Sequence, residues 1–285
     1  MSCKSYKKNK SHKDVPDSFI AKGEKLAAIH CQSCHMLPDP SLLDSKSWEM
    51  GVLPAMGPRL GIFSDGIKSY PSSKHDMELE KGFYPSSPAL SQEDWKYIID
   101  YYSSVSPDTL ALQQRNSAVK QNESLFKLET PSFKNDLPAT CLVRIDTTIF
   151  PHQLLVADMV SKNIFRFDNH LSLSDSFKTT SPVVDIEFHD RDFITCNIGI
   201  MNPNNGKYGT ARRIRIDKEG KMQADTTLQF EKLARPVQVV SADFNKDEKT
   251  DYLVCEFGNL TGALSWMENT GDNNYVRHVL RALPG

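Results

Sequence analysis

Residues 28 to 40 read AIHCQSCHMLPDP, which sets Cys31 and Cys34 two residues apart and places His35 directly after the second thiol. Two thiols emerging from one turn can add across the two vinyl groups on one edge of a porphyrin, and the next side chain can then ligate its iron. C-x-x-C-H at this spacing is the attachment sequence of a c-type haem. A structural zinc site needs two further ligands in a similar cluster, and the chain has no second C-x-x-C and no H-x-x-x-H. A thioredoxin-like redox pair needs a strand, helix, strand context, whereas here a helical pattern precedes the motif and a loop and a second helical pattern follow it.

The opposite face of the iron needs a sixth ligand or stays open. Met36 adjoins His35 and cannot reach round the porphyrin, and Met50 reads as an ordinary methionine of a helix. Met56, in VLPAMGPRLG, lies in a stretch shaped by Pro and Gly that can hold a thioether rigidly. We assign Met56, with Met77, His75 and an open site as the alternatives. Coordination by His35 and Met56 together favours electron transfer over oxygen chemistry, because thioether ligation raises the potential and leaves no position for substrate. The Nδ1 proton of His35 is expected on a backbone carbonyl of the following MLPDP segment, which sets the tautomer.

A second constellation is DFNKDEKTD, with oxygen side chains at Asp243, Asn245, Asp247 and Asp251. Hard oxygens at positions 1, 3, 5 and 9 of a tight loop suit calcium, and a main-chain carbonyl near Lys249 would complete the shell. The corresponding turn HDRDF, earlier in the chain, is too short to bind.

The elements that must position these groups fall into segments. Residues 1–17 are lysine-rich and patternless, and read as a tether. From 18 to 107 the period is helical. DSFIAKGEKLAAIHC, with Asp17 or Ser18 as cap, ends at the cysteine motif. PSLLDSKSWEMGVL forms a second helix, and residues 54 to 88 are broken by Pro and Gly into loop. LSQEDWKYIIDYYSSVSP has Ser91 and Asp94 in capping-box places, with Trp95, Ile98, Ile99 and Tyr102 on one face. Residues 108–125 are a polar linker. From 126 to 285 the pattern changes to short apolar or alternating runs (TCLVRI, QLLVADM, NIFRFD, VVDIEF, FITCNIG, ARRIRID, VQVVSADF, DYLVCEFG, ALSWMEN and VRHVL), which are strands between turns. Pro182, Cys196 and Gly199 align with Pro236, Cys255 and Gly258, at offsets of 54 residues for the prolines and 59 for the cysteines. A repeat of that length is the size of a four-stranded propeller blade, and the segment has room for about three where a closed propeller takes roughly 4 to 8.

Composition excludes other classes. Among 285 residues, 34 Lys and Arg balance 36 Asp and Glu, so there is no electrostatic footprint for a nucleic acid. No apolar run is long enough to cross a bilayer, and the opening MSCKSYKKNKSHKD has no apolar core of a signal peptide. Cys141, Cys196 and Cys255 stand singly in apolar strands and read as small buried hydrophobes.

Residues 18 to 107 resemble the single-haem class I cytochromes c: a helix with Gly23 eight residues before Cys31, the CQSCH motif, a loop bearing a methionine, and a last helix rich in aromatics. In that family the glycine lets the first and last helices cross closely beside an aromatic residue, a place that Tyr97 or Tyr101 would fill. Residues 236 to 280, with DFNKDEKTD followed by GALSWMENTGDNNYVRHVL, are similar to FG-GAP/VCBS repeats, which form β-propellers with calcium loops; Lys246 and Glu248 stand where that family has glycine. The resemblances imply an all-α cytochrome c-like domain followed by all-β propeller blades, incomplete in this chain. They imply a single-haem electron carrier that passes one electron at a time to a redox partner protein or terminal oxidoreductase, with the β-rich part as docking or ligand-binding scaffold. The alternatives are the electron-draining domain of a propeller dehydrogenase and a surface adhesin or glycan-binding protein with accessory haem. Covalent haem attachment takes place outside the cytoplasm, so a periplasmic or cell-surface location follows. Ser2 and Cys3 before a lysine-rich stretch look like the end of a lipobox, with Cys3 lipidated and anchoring the chain to a membrane.

Overall fold

The computed structural model describes residues 5–113, 117–118, 126–189 and 191–283. The chain divides into two compact units, Met1–Gln121 and Asn122–Gly285.

In the first unit, helices α1 (Asp17–His30) and α4 (Gln92–Val105) are each 14 residues long, while α2 (Ser45–Ser47) and α3 (Leu53–Met56) are single turns. Ser91 caps α4: its Oγ accepts from the Asp94 N–H at 3.0 Å and donates to Asp94 Oδ2 at 2.9 Å. The apolar stripe of α4 then buries Trp95, Ile98, Tyr101 and Tyr102. Polar atoms on those rings find partners, as buried indole and phenol groups must. Trp95 Nε1 donates to Tyr70 Oη at 2.6 Å, and Trp48, whose ring lies 4.4 Å from that of Tyr102, donates to the Pro40 carbonyl at 2.9 Å. α1 crosses α4 at Gly23. A Cβ there would lie 1.9 Å from the Tyr97 carbonyl oxygen and 2.8 Å from Tyr101 Cβ, so only hydrogen fits. α1 carries no side-chain cap; Asp17 pairs with Lys8 at 2.8 Å instead.

Residues 5–16 form neither helix nor strand, yet they do not hang free as the tether expected from their composition. Asn9 Nδ2 donates to the carbonyls of Ser103 and Ser106, its N–H donates to Ser104, and Ser11 and Lys10 bond to Asp108. The C-terminus of a helix leaves its last carbonyls without partners, and this polar segment supplies donors to them. A long-range pairing of that kind has no local sequence signature.

The helix expected over residues 40 to 53 forms as successive turns of different pitch. A 3₁₀ turn covers Pro40–Leu42, α2 leads into a wider turn over Trp48–Val52, and α3 passes into a 3₁₀ turn over Gly57–Leu60 that stops at Gly61. Pro54 and Pro58 lack the N–H that a uniform ladder needs. Residues 61 to 90 are loop and turn, with one isolated bridge between Ser64 and Ser69. The large all-α first domain expected from the sequence is therefore corrected. The molecule is mostly β, its helices are few and short, and the Pro and Gly between Pro54 and Pro88 prevent the helical content such a domain requires.

Among its described residues the second unit holds three four-stranded antiparallel sheets, each with its strands side by side in sequence order. The first contains β1 (Thr140–Asp146), β2 (Gln153–Asp158), β3 (Asn163–Phe167) and β4 (Leu173–Lys178). The second contains β5 (Val183–His189), β6 (Asp192–Asn197), β7 (Gly209–Ile216) and β8 (Met222–Leu233). The third contains β9 (Pro236–Ala242), β10 (Asp251–Phe257), β11 (Gly262–Gly271) and β12 (Asn274–Arg281). Alternation along each strand sends one side-chain set to each face. Phe193 and Ile214 of the second sheet pack on Leu155, Ala157 and Ile164 of the first, while Ile194, Cys196 and Ala211 pack on Val239, Tyr252 and Val254 of the third. The repeat offset appears as contact: Asp185 Oδ2 accepts from Val239 N–H and Glu187 Oε1 from Ser241 N–H, 54 residues on in both cases.

Replacing Gly23 with Ala should force α1 and α4 apart and destabilise the first unit by about 1–3 kcal/mol. Urea unfolding followed by the helical circular dichroism band measures this, and an unchanged midpoint would contradict the close crossing.

Candidate functional site

The cysteine motif stands where α1 runs out. Cys31 still donates its N–H to the Ala27 carbonyl at 2.8 Å, and residues 31 to 34 then turn away from the helix axis. Ser33 Oγ closes the turn by donating to the His30 carbonyl at 2.7 Å. Both thiols of the motif are free. Cys31 is half-buried against the cluster of Ile20, Ala27, Trp95, Ile98 and Tyr102, and Cys34 is exposed. Burial, with a smaller contribution from Cys34, pushes the Cys31 thiol above its ordinary range. That direction opposes a thiolate at neutral pH and so opposes a dithiol redox pair, which needs a depressed pKa.

His35 is exposed, and its Nδ1 lies 2.8 Å from the Met36 carbonyl oxygen. A carbonyl only accepts, so at this distance Nδ1 carries the proton and donates, and the Nε2 lone pair is left available to a metal. The segment that supplies this carbonyl is itself anchored, since Tyr102 Oη donates to the Pro38 carbonyl at 3.1 Å. Sequence reading counted Tyr102 only as a core residue of α4; its hydroxyl partner lies 64 residues away and leaves no local signal.

Of the alternatives to Met56, Met77 is 98% exposed and His75 is exposed; Met36 and Met50, already set aside, are exposed too. Met56 is half-buried and packs on the same hydrophobic cluster as Cys31. It ends the turn α3, where the sequence suggested a loop. The donor set thus fits a covalently held haem in kind: two free thiols, an imidazole with its proton on Nδ1, and a thioether on the shared core.

The acidic stretch joins β9 to β10 as a turn closed by its own hydrogen bonds. Asp243 Oδ1 and Asn245 Oδ1 both accept from Asp247 N–H at 3.1 Å, Asp243 Oδ2 accepts from Glu248 N–H at 2.9 Å, and Asp247 Oδ1 accepts from Lys249 N–H at 3.0 Å. Lys246 and Glu248, where glycine was expected, both take positive φ of 65°. Asp243, Asn245 and Asp247 are therefore brought together, with Lys249 Nζ already 3.0 Å from Asp247 Oδ2. Asp251 is not part of the group: it is fully buried, and its two oxygens accept from the Phe244 and Asn269 N–H groups. Among the described residues, no three His, Cys, Asp or Glu side chains are grouped as a metal ion needs. Cys3 lies outside the described residues.

Compared with known proteins, the chain matches no family model and no curated sequence. Among solved structures, the crystal structure of Saccharomyces cerevisiae Sqt1 is similar over 39% of this chain and 30% of that one, at 14% identity and a TM-score of 0.28. A likeness that slight carries neither fold nor function.

In the haem-free protein, iodoacetamide should alkylate Cys34 first. Cys31 should follow more slowly, and its rate should rise at higher pH than that of an unperturbed thiol, because its pKa is raised. Peptide mass mapping over time measures the order; equal rates at both cysteines would contradict the burial of Cys31.

Proposed function

We propose that the chain carries one haem c bonded to Cys31 and Cys34, with His35 and Met56 as its axial ligands, and serves as a one-electron carrier to a redox partner protein. The observation that supports this best is the His35 Nδ1 donation to the Met36 carbonyl, which prepares Nε2 as a ligand. When bound, the group supplies reversible one-electron chemistry at iron. The chain's own residues do the rest. Cys31 ties the attachment turn to the core, and Ser33 holds the turn closed against the end of α1. Tyr102, through Pro38, steadies the segment whose carbonyl orients the imidazole. Met56 is held by packing, so a thioether there need not be ordered at the moment of ligation. Cys34, His35 and Met36 form an exposed edge that a partner protein can approach.

Export to the periplasm or cell surface, with a lipid anchor at Cys3, belongs to the same proposal because covalent haem attachment is an extracytoplasmic reaction. Among the described residues no helix is long and apolar enough to cross a membrane. Calcium at the Asp243 turn is a separate proposal, supported by the three oxygen side chains that share it. It expects thermal unfolding of EDTA-treated protein to move upward when calcium is added, and to move less in Asp243→Ala; no shift in the wild type overturns it.

Expression with haem-ligation machinery should yield coloured protein whose mass exceeds the polypeptide by one haem, and Cys31→Ala with Cys34→Ala together should yield colourless protein. In oxidised protein, Met56→Ala should remove the sulfur-to-iron absorption band while covalent haem remains. Colourless wild-type protein at the mass of the bare polypeptide overturns the haem, and a band that persists in Met56→Ala overturns Met56 alone.

A further inference from the structure

One face of the second sheet changes character along its length. Phe193 on β6 and Ile214 on β7 pack into the apolar contact with the first sheet. Two and four residues further along β6, on the same face, stand Thr195 and Asn197, and Arg212 pairs directly across from Thr195. Thr195 and Asn197 are 0% and 2% exposed. These three side chains, with Thr179 and Thr180 after β4 and Thr226 on β8, line a cavity of about 180 Å³ between the outer strands of the first two sheets.

Four atoms of the lining side chains lack a hydrogen-bond partner: Asn197 Oδ1, Arg212 Nε, Arg213 Nε and Asp225 Oδ2. The last two lie in ion pairs, Arg213 Nε 3.6 Å from Asp192 and Asp225 Oδ2 2.7 Å from Arg215, whereas the first two do not. Asn197 Nδ2 donates to Thr195 Oγ1 at 3.2 Å and to Thr210 Oγ1 at 3.3 Å, but its Oδ1 accepts nothing. Arg212 Nε is buried and donates to nothing. Polar groups this deep in a protein are almost always hydrogen-bonded, and leaving them open costs stability. Beside the ion-paired Arg213 and Asp225, one open acceptor and one open donor face the same cavity, whose volume corresponds to about six waters.

We propose that this cavity is a binding site for a polyhydroxylated ligand, a sugar residue or a similar polyol. A hydroxyl group is both donor and acceptor, so one hydroxyl can give its proton to Asn197 Oδ1 while a neighbouring oxygen accepts from Arg212 Nε. A carboxylate or phosphate would meet Arg212 but present only oxygens to Asn197 Oδ1. An apolar ligand would leave both groups open. The hydroxyls of Thr180 and Thr226 suit a polyol for the same reason, since each can turn to donate or accept, while those of Thr179 and Thr195 donate to main-chain carbonyls and offer a ligand only acceptor capacity. This site is independent of the haem proposal and lies wholly within the second unit.

The test uses the full chain and methyl glucoside as probe, with cyclohexanol as the control that keeps the ring and loses the adjacent hydroxyls. Saturation-transfer NMR should show transfer to the glucoside and none to cyclohexanol. Arg212→Leu should weaken glucoside binding about tenfold, the loss of one charge-assisted hydrogen bond. Thr226→Trp, a change at an exposed position lining the cavity, should abolish it with the unfolding curve unchanged. Transfer to neither compound, or equal transfer to both, overturns the proposal, the first outcome meaning that water alone satisfies the two groups. Glucoside binding unaffected by both substitutions also overturns it, because the ligand would then sit elsewhere.

Discussion

The first unit depends on how closely two backbones approach at Gly23. α1 ends at His30, the residue before the cysteine motif, so the position of that motif relative to the core is set by where α1 lies on α4. With hydrogen alone at Gly23, the helix sits on the carbonyl of Tyr97, and Ile20 and Ala27 on the same face are fully buried. A glycine inside a helix costs about 1 kcal/mol relative to alanine, and here that cost is offset by a contact no other residue permits. Cys31 then falls on the edge of the core and Cys34 in solvent.

From that starting point the local chemistry follows by hydrogen bonding. The turn after α1 is closed by Ser33, the MLPDP segment is tied by Tyr102, and the imidazole of His35 is oriented by the carbonyl next to it. Each bond contributes about 1 kcal/mol; their joint effect is to remove rotational freedom from the His35 side chain.

The second unit is held by a different rule. Alternation along its strands divides side chains between two apolar contacts, and the 54-residue repeat places Asp185 and Glu187 where they meet the main chain of the next sheet. Against this background Thr195, Asn197 and Arg212 are exceptions, because they place polar atoms on a face that is otherwise packed. Cys196 is fully buried between sheets while its repeat counterpart Cys255 is only half-buried, since the third sheet has no fourth against it among the described residues.

What the sequence alone determined is what depends on short spacing. The C-x-x-C-H order, the capping of α4 by Ser91, the apolar stripe through Trp95 and Tyr102, and ten of the twelve strands are all legible because each is governed by residues within a few positions of one another. β4 and β8 escaped that reading: LSDSFK is polar, and MQADTTLQFEKL alternates too weakly to stand out. Only the tertiary structure decided the rest. It broke the expected second helix into turns of changing pitch, took residues 5–16 onto the end of α4, separated Asp251 from the acidic turn it was grouped with, and left Asn197 Oδ1 and Arg212 Nε without hydrogen-bond partners. In each case the deciding contact joins residues far apart in the chain, or depends on burial, and neither is encoded in the pattern of near neighbours.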